Sequence, residues 1–307
     1  MAGSRLILNG KKAGLPEIRE AVQSLRGEGH DLQVRVTWEG GDAVRMVAEA
    51  AAEGVERVIA GGGDGSVHEL ANGLMALPEE RRPALGILPL GTANDFASAC
   101  GIPTGDALAA LRLALEASPV AIDLGRANGS YFVNVASAGF GAAVTAETPV
   151  ELKNFLGGGA YTIMGVLRAL DFKPYPSRLR TPEGEIEMAV VVGAVCNGRQ
   201  AGGGQPLAPE ALLDDGLLDA VVLSDFPLSD IKQVYDELTN PSPEGRYARQ
   251  LQTPWLEASA ELPIPVNLDG EPIQYQEVRL EAVPGAIRLA LPADCPCLSK
   301  GAVPAPR

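Results

Sequence analysis

The sequence predicts an α/β domain built on a doubly wound parallel sheet, followed by a mainly antiparallel β-sandwich domain. Three observations lead there. Short apolar runs alternate with helix-period segments up to about residue 125. Two of the strand-to-helix junctions are crowded with glycine and small polar residues. Beyond residue 125 the alternation gives way to strand-like runs punctuated by Gly and Pro. A chain of 307 residues also exceeds a typical single domain, so two domains are the natural division.

The elements follow in order. Arg5 to Asn9 reads as a strand. A helix begins at Pro16, with Ile18, Val22 and Leu25 on one face and Gly27 and Gly29 near its stop. Leu32 to Val36 is a strand, and Asp42 is expected to cap a helix carrying Val44, Val47 and Ala51. Val58 to Ala60, a helix through Leu77 and the strand Ala84 to Leu88 continue the pattern. A helix from Asp106 to Glu116 and a strand from Ala121 to Leu124 close it. In the second half, strands are expected at 131–138, 186–196, 218–223, 266–268, 278–282 and 286–291, with helices near 151–172 and 228–239. The tail from Lys300 to Arg307 is expected to be disordered.

Composition narrows the function classes. Apolar residues make up 46% of the chain, ample for conventional cores, and 25 basic against 39 acidic residues leave a net charge of −14. Such a surface repels nucleic acid, so a nucleic-acid partner is not expected. Contact with a membrane has to be local, transient and largely hydrophobic. Cys100, Cys196, Cys295 and Cys297 show no ligand spacing of the C-x2-C kind, and Cys295 and Cys297 flank Pro296 too closely for a relaxed disulfide. With only His30 and His68 available, no zinc site is expected. Without a signal-peptide pattern or a long apolar run, the chain reads as cytoplasmic and reduced.

The most informative segment follows Val58 to Ala60: Gly61, Gly62, Gly63, Asp64, Gly65, Ser66, Val67, His68 and Glu69. Glycines let the backbone approach a polyanion closely, and a helix N-terminus adds its free N–H groups. An aspartate inside a phosphate cradle repels the ligand unless a cation lies between them, so the loop suggests a metal–nucleotide complex. The plainer reading is a glycine-rich strand-to-helix turn, since neither a Walker loop nor a G-x-G-x-x-G fingerprint is present. A second segment, Leu88 to Ala97, follows another apolar run; Thr92 and Asn94 are good N-cap residues and Asp95 falls in the first helical turn. Both turns are expected side by side at the carboxyl edge of the sheet, where ligands bind in open α/β folds.

Taken together these segments resemble the diacylglycerol-kinase catalytic domain, a superfamily sharing its glycine–aspartate loop with NAD kinases and phosphofructokinases. Blocks at Val34–Glu39, Ile59–Gly65, Ala84–Ala97, Asn197–Gln205 and Asn267–Pro272 are similar, in order, to the YegS-type bacterial lipid kinases. Two positions depart from that pattern: Ser66 replaces a threonine, which keeps a hydroxyl, and His68 replaces an asparagine, which could alter a nucleotide contact.

The resemblance implies an ATP- and Mg²⁺-dependent kinase for a hydroxyl of a glycerolipid or phospholipid, with phosphatidylglycerol and diacylglycerol as candidates. It implies a nucleotide domain at 1–125, an acceptor domain at 126–285, and a strand at 286–299 returning to the first. Thr37, the loop from Gly61 to Glu69, Thr92 and Asn94 are expected to bind ATP. Asp64 and Asp95 are expected to act with Mg²⁺, and Glu271 of Asp269-Gly270-Glu271 to accept the hydroxyl proton. By spacing alone that segment is a hairpin turn. The carbonyls of Leu212 and Leu217 and the carboxylate of Asp215 are implied to hold a second Mg²⁺ or Ca²⁺; without the family, Asp215-Gly216 is a plain turn. Asn197 to Gln205 is expected to be a mobile loop facing the cleft. An apolar stripe (Ile163, Val166, Leu167, Leu170) near Arg168, Lys173, Arg178 and Arg180 suggests core packing or transient contact with the inner face of a membrane. NAD kinase is the enzymatic alternative, and a non-catalytic nucleotide or lipid sensor is the alternative from another class. Oligomeric state is open.

Overall fold

The computed structural model of the chain describes residues 3–139, 174–240 and 242–299. The helix expected near 151–172, its apolar stripe with Arg168 and Lys173, and the 300–307 tail lie outside the described residues.

Four strands, β1 (Ser4–Asn9), β2 (Leu32–Thr37), β3 (Arg57–Gly62) and β4 (Ala84–Pro89), lie parallel in the order β2-β1-β3-β4. Helices α1 (Pro16–Gly27), α2 (Asp42–Ala52), α3 (Asp64–Met75), α4 (Asp95–Ala99) and α5 (Ala107–Glu116) lie in this half. Because successive strand residues point to opposite faces, the strands sort their own packing. Leu6, Leu8, Ile59 and Leu88 meet Ile18, Val22 and Leu25 of α1 and Leu111 of α5. Ile7, Val58, Ala60 and Ile87 face the opposite way, against Met46 and Val47 of α2 and Leu70 and Leu74 of α3. Each fully buried Val, Leu or Ile among them stabilises the fold by roughly 1.5–3 kcal/mol. The chain runs from β1 out to β2, then returns across β1 to β3. That reversal places a crevice at the carboxyl ends of β1 and β3.

The second half contains β5 (Pro119–Ala127), β6 (Ser130–Phe132), β7 (Val135–Gly139), β8 (Tyr175–Thr181), β9 (Gly184–Cys196), β10 (Gln200–Ala201), β11 (Gln205–Pro206), β12 (Leu218–Ser224), β13 (Ala248–Thr253), β14 (Trp255–Leu268) and β15 (Glu271–Ala290). Among the described residues one α-helix, α6 (Ile231–Thr239), accompanies them. Antiparallel pairing runs β13-β12-β9-β7-β14-β15, with β8 joined to both β9 and β14. Phe132, Leu179, Val195, Val222, Leu256, Val266 and Leu280 build its core.

Strands β8 and β13 and the first part of β14 were not expected. Pro263 and Pro265 read against a strand, yet the register of β14 shifts between Ser259 and Ile264 and absorbs Pro263 outside the ladder. The two strands expected at 278–282 and 286–291 are one. Strand β15 pairs with β14, continues along β5, and reaches β4 where Leu289 lies opposite Leu85. Pro284 and Gly285 (φ 59°) occupy a bulge between Val283 and Ile287, a kink that reads in sequence as a break. Asp123 of β5, buried, accepts hydrogen bonds from Gly285 N (2.8 Å) and Gly216 N (2.7 Å) at this junction. Burial pushes its carboxyl above the ordinary range.

Asp42 is not a cap. It is the first residue of α2, after Gly41, and its carboxylate accepts from the backbone of Trp38 (2.7 Å) and Glu39 (3.1 Å). Arg178 and Arg180, expected in a basic neighbourhood, are paired instead: Arg178 with Glu185 and Glu187, and Arg180 with Glu257. Among the described residues no helix is long and apolar enough to cross a membrane.

Candidate active site

The site begins where β3 passes into α3. Leu90 N donates to Gly62 O at 2.7 Å, holding the loop after β4 beside the loop after β3. The two touch backbone to backbone. A Cβ on Gly63 would lie 3.0 Å from Gly91 Cα, and one on Gly91 would lie 2.6 Å from Gly63 Cα. A Cβ on Gly62 would meet Ser66 Oγ at 2.1 Å. Glycine is therefore a packing requirement here, and it also leaves the first amides of α3 uncovered for an anion. Thr37 pairs with Asn9 across β2 and β1, so it occupies the same carboxyl edge, and Thr92 is exposed on the second loop.

Three local expectations need correcting. Neither Thr92 nor Asn94 caps α4 through its side chain. Asn94 (φ 52°) instead accepts from Gly91 N at 2.7 Å and donates to Gly91 O at 2.9 Å, closing its own turn. The Val67 side chain is 4% exposed within the apolar core, and its amide donates to Gly63 O at 3.3 Å, so it faces away from a ligand. The 197–205 segment folds into the β10–β11 hairpin, and its tip is held. Gly203 N and Gly204 N donate to the two oxygens of Asp95 (2.9 and 2.6 Å), while Gln200 Nε2 donates to Asp95 O at 3.1 Å. Positive φ at Gly202, Gly203 and Gly204 (68°, 88° and 91°) turns the amides inward.

Asp64 opens α3 next to Asp95, and its Oδ1 accepts from Phe96 N at 3.4 Å. Burial first, then the charges of Asp95 and Asp269, push its carboxyl above the ordinary range. Carboxylates gathered at the mouth of a phosphate-shaped loop suit a divalent cation, which would offset their repulsion. Asp95 contributes mainly by position, because both its oxygens already hold backbone amides.

The opposing wall comes from the β14–β15 hairpin. Leu268 pairs with Glu271 across Asp269 (φ 50°) and Gly270 (φ 107°), a two-residue turn with both φ positive. Asp269 does far more than turn the chain. It is 8% exposed and accepts from Val133 N (2.6 Å), Asn134 N (2.9 Å) and Val135 N (2.9 Å), with His68 Nδ1 at 3.1 Å. Burial alone would lower the His68 imidazole, but the hydrogen bond and charge of Asp269, then Glu271 and Glu69, raise it above its ordinary value. His68 and Asp269 thus fasten the hairpin to α3. Sequence reasoning missed Asp269, although it stands inside the quoted Asp-Gly-Glu motif. Glu271 is exposed, and a Cβ on Gly65 would lie 4.0 Å from its Oε1. The carboxylate stands in front of the amino end of α3, within van der Waals reach of Gly65. Among the described residues it accepts no hydrogen bond.

The Leu212–Leu217 segment lies elsewhere on the frame. Leu213 N donates to Cys297 O (2.8 Å), and Leu213 O accepts from Asp123 N (2.6 Å). The oxygens of Asp214 are taken by Ser299 N and Oγ. Asp215 is exposed, and among the described residues its carboxylate accepts from Leu217 N at 3.0 Å. A carboxylate with neighbouring carbonyls is a donor set suited to a hard cation.

Comparison with known proteins identifies the family of both halves of the chain. Residues 4–127 match the diacylglycerol kinase catalytic domain, and residues 134–291 match the YegS C-terminal NAD kinase beta sandwich-like domain. A protein of Shewanella frigidimarina named "Probable lipid kinase YegS-like" is 51% identical, covering 96% of this chain and 95% of its own. One of the same name from Chromohalobacter salexigens is 52% identical, covering 96% and 94%. The crystal structure of a "putative diacylglycerol kinase" from Bacillus anthracis superposes with a TM-score of 0.78 at 26% identity, covering 95% of this chain and 96% of that one. The NAD-kinase alternative is not favoured by these names. With both halves matched and relatives near half identical over almost the whole length, this chain belongs to the YegS-like lipid kinases of the diacylglycerol kinase superfamily.

Proposed function

We propose that this lipid kinase transfers the γ-phosphate of ATP to a hydroxyl of a glycerolipid or phospholipid in the crevice between the glycine loop and the β14–β15 hairpin. The loop from Gly61 to Ser66, with Thr37 and Thr92 on the same edge, binds the nucleotide through backbone amides and hydroxyls. Mg²⁺, when bound, offsets the phosphate charge against Asp64. Asp95 holds the Gly203–Gly204 tip against this site. Glu271 accepts the proton of the attacking hydroxyl.

The observation that carries the reading is the placement of Glu271: an exposed carboxylate, free of hydrogen bonds among the described residues, facing the start of α3. A sensor that only binds needs no such base. Residues 1–125 serve the nucleotide and 126–285 the acceptor, with the strand at 286–299 returning to the first unit. Asp215 with the carbonyls of Leu212 and Leu217 holds a second divalent cation, Mg²⁺ or Ca²⁺. The enzyme works in the cytoplasm and meets its lipid transiently at the inner face of the membrane.

The test is radiolabelled ATP with a panel of lipids in mixed micelles, phosphatidylglycerol and diacylglycerol among them, and NAD as a parallel acceptor. Label in a lipid supports the reading. Label only in NAD, or nucleotide binding without turnover on any acceptor, overturns it.

A further inference from the structure

The cysteines show no ligand spacing along the chain, yet the fold gathers three of them. Cys100 ends α4, and Cys295 and Cys297 follow β15 on either side of Pro296. Their Sγ atoms all lie within 4.8 Å of one another. All three are buried, at 0%, 7% and 1% exposure, and the fourth, Cys196, packs in a different cluster. Backbone bonds fix the arrangement: Cys100 N donates to Phe96 O, Cys295 N to Pro292 O, and Leu298 N to Cys295 O.

We propose that Cys100, Cys295 and Cys297 form a buried three-thiolate zinc site that ties the C-terminal segment to α4. Thiolates bonded to one zinc at about 2.3 Å stand roughly 3.8 Å apart in a tetrahedron, so the observed cluster needs only a small contraction. Soft sulfur donors select thiophilic ions over Mg²⁺ or Ca²⁺. Charge favours Zn²⁺ over Cu⁺. Three thiolates around Zn²⁺ leave one negative charge, which the nearby Arg199 guanidinium balances, whereas Cu⁺ would leave two in a buried place. The Ala99 carbonyl, 3.2 Å from Cys297 Sγ, offers an oxygen for the fourth position. On binding, the three S–H protons pass to solvent.

The site would brace two pieces of working machinery. The first residue of α4 is Asp95, which holds the Gly203–Gly204 tip, and Cys297 O accepts from Leu213 of the Leu212–Leu217 segment. The plainer reading is that three thiols merely pack the core.

Titration of the reduced, chelator-treated full chain with Cd²⁺, read by the ultraviolet thiolate-to-metal charge-transfer band, separates the two. Zinc-loaded samples give the thermal midpoint. The proposal expects one ion per chain and a zinc-dependent rise in the midpoint. Cys100→Ser and Cys297→Ser should each weaken binding at least about 100-fold, while Cys196→Ser leaves it intact. The wild-type titration stands even if a variant fails to fold. A folded, reduced wild type that gives no stoichiometric charge-transfer band overturns the proposal. So does binding that survives loss of both Cys100 and Cys297.

Discussion

Asp269→Asn isolates the contact that joins the two halves of the candidate site. Asparagine tolerates the left-handed backbone of this turn as aspartate does, so φ 50° adds little strain. What changes is charge and one oxygen. Oδ1 accepts from Asn134 N and Val135 N, and Oδ2 accepts from Val133 N and faces His68. Either orientation of the amide points an NH2 group at a buried backbone N–H. A hydrogen bond to a charged acceptor contributes about 1.5–3 kcal/mol, and one is lost outright while the others weaken. Losing the His68 partner charge in a buried setting adds to this, for a total of about 3–5 kcal/mol. Against a typical stability of about 5–15 kcal/mol that is a large fraction. Urea unfolding followed by circular dichroism should show the midpoint falling accordingly, with radiolabel transfer to lipid slowing once Glu271 and α3 are no longer held in register. A loss below about 1 kcal/mol would show that Asp269 only turns the chain.

Asp64→Asn should abolish turnover with the far-ultraviolet circular dichroism unchanged, because only the carboxylate among the phosphate-facing glycines is altered; full specific activity in the folded variant would remove Asp64 from the mechanism. His68 is raised above the ordinary imidazole value of about 6.5, so its protonated form stabilises the fold fully below that value and the contribution fades as pH rises through the folded value. Urea midpoints should therefore decline above about pH 6.5 more steeply in wild type than in His68→Asn, and parallel profiles would refute the ion pair. Asp215→Ala should remove the response of thermal stability or activity to added Mg²⁺ or Ca²⁺, and an identical response in variant and wild type would rule out the second cation.

The local geometry of the two glycine-rich loops was legible in the sequence; the long-range connections of the site were not. Glycines at 61–63 after an apolar run announce a strand-to-helix loop, and the alternation in β1, β3 and β4 sorts the two helical layers without further information. Asp269-Gly270 reads as a tight turn because positive φ at two residues favours that pair. Asp269 nevertheless looks like any solvated turn residue, since the amides that bury it come from residues 133–135. Asp95 is legible as a residue of a helix start, but its partners Gly203 and Gly204 are set by a hairpin far along the chain. The continuity of β15 was hidden by Pro284-Gly285, which end a strand in sequence and only kink one in the fold. Cys100 meets Cys295 and Cys297 by the same non-local route.

The central claim is that Glu271 is the base that completes a catalyst. Glu271→Gln keeps the size of the side chain and cannot accept a proton at neutral pH. Removing a general base typically costs on the order of 10²–10⁴ in rate. The measurement is the ratio of lipid phosphorylation to nucleotide affinity in Glu271→Gln, by radiolabel transfer and calorimetry on the same preparation. The account predicts near-normal ATP binding with phosphorylation slowed at least about 100-fold. A fall of only a few-fold with nucleotide affinity intact would contradict it, leaving Glu271 as the first residue of a strand and the proton departing by another route.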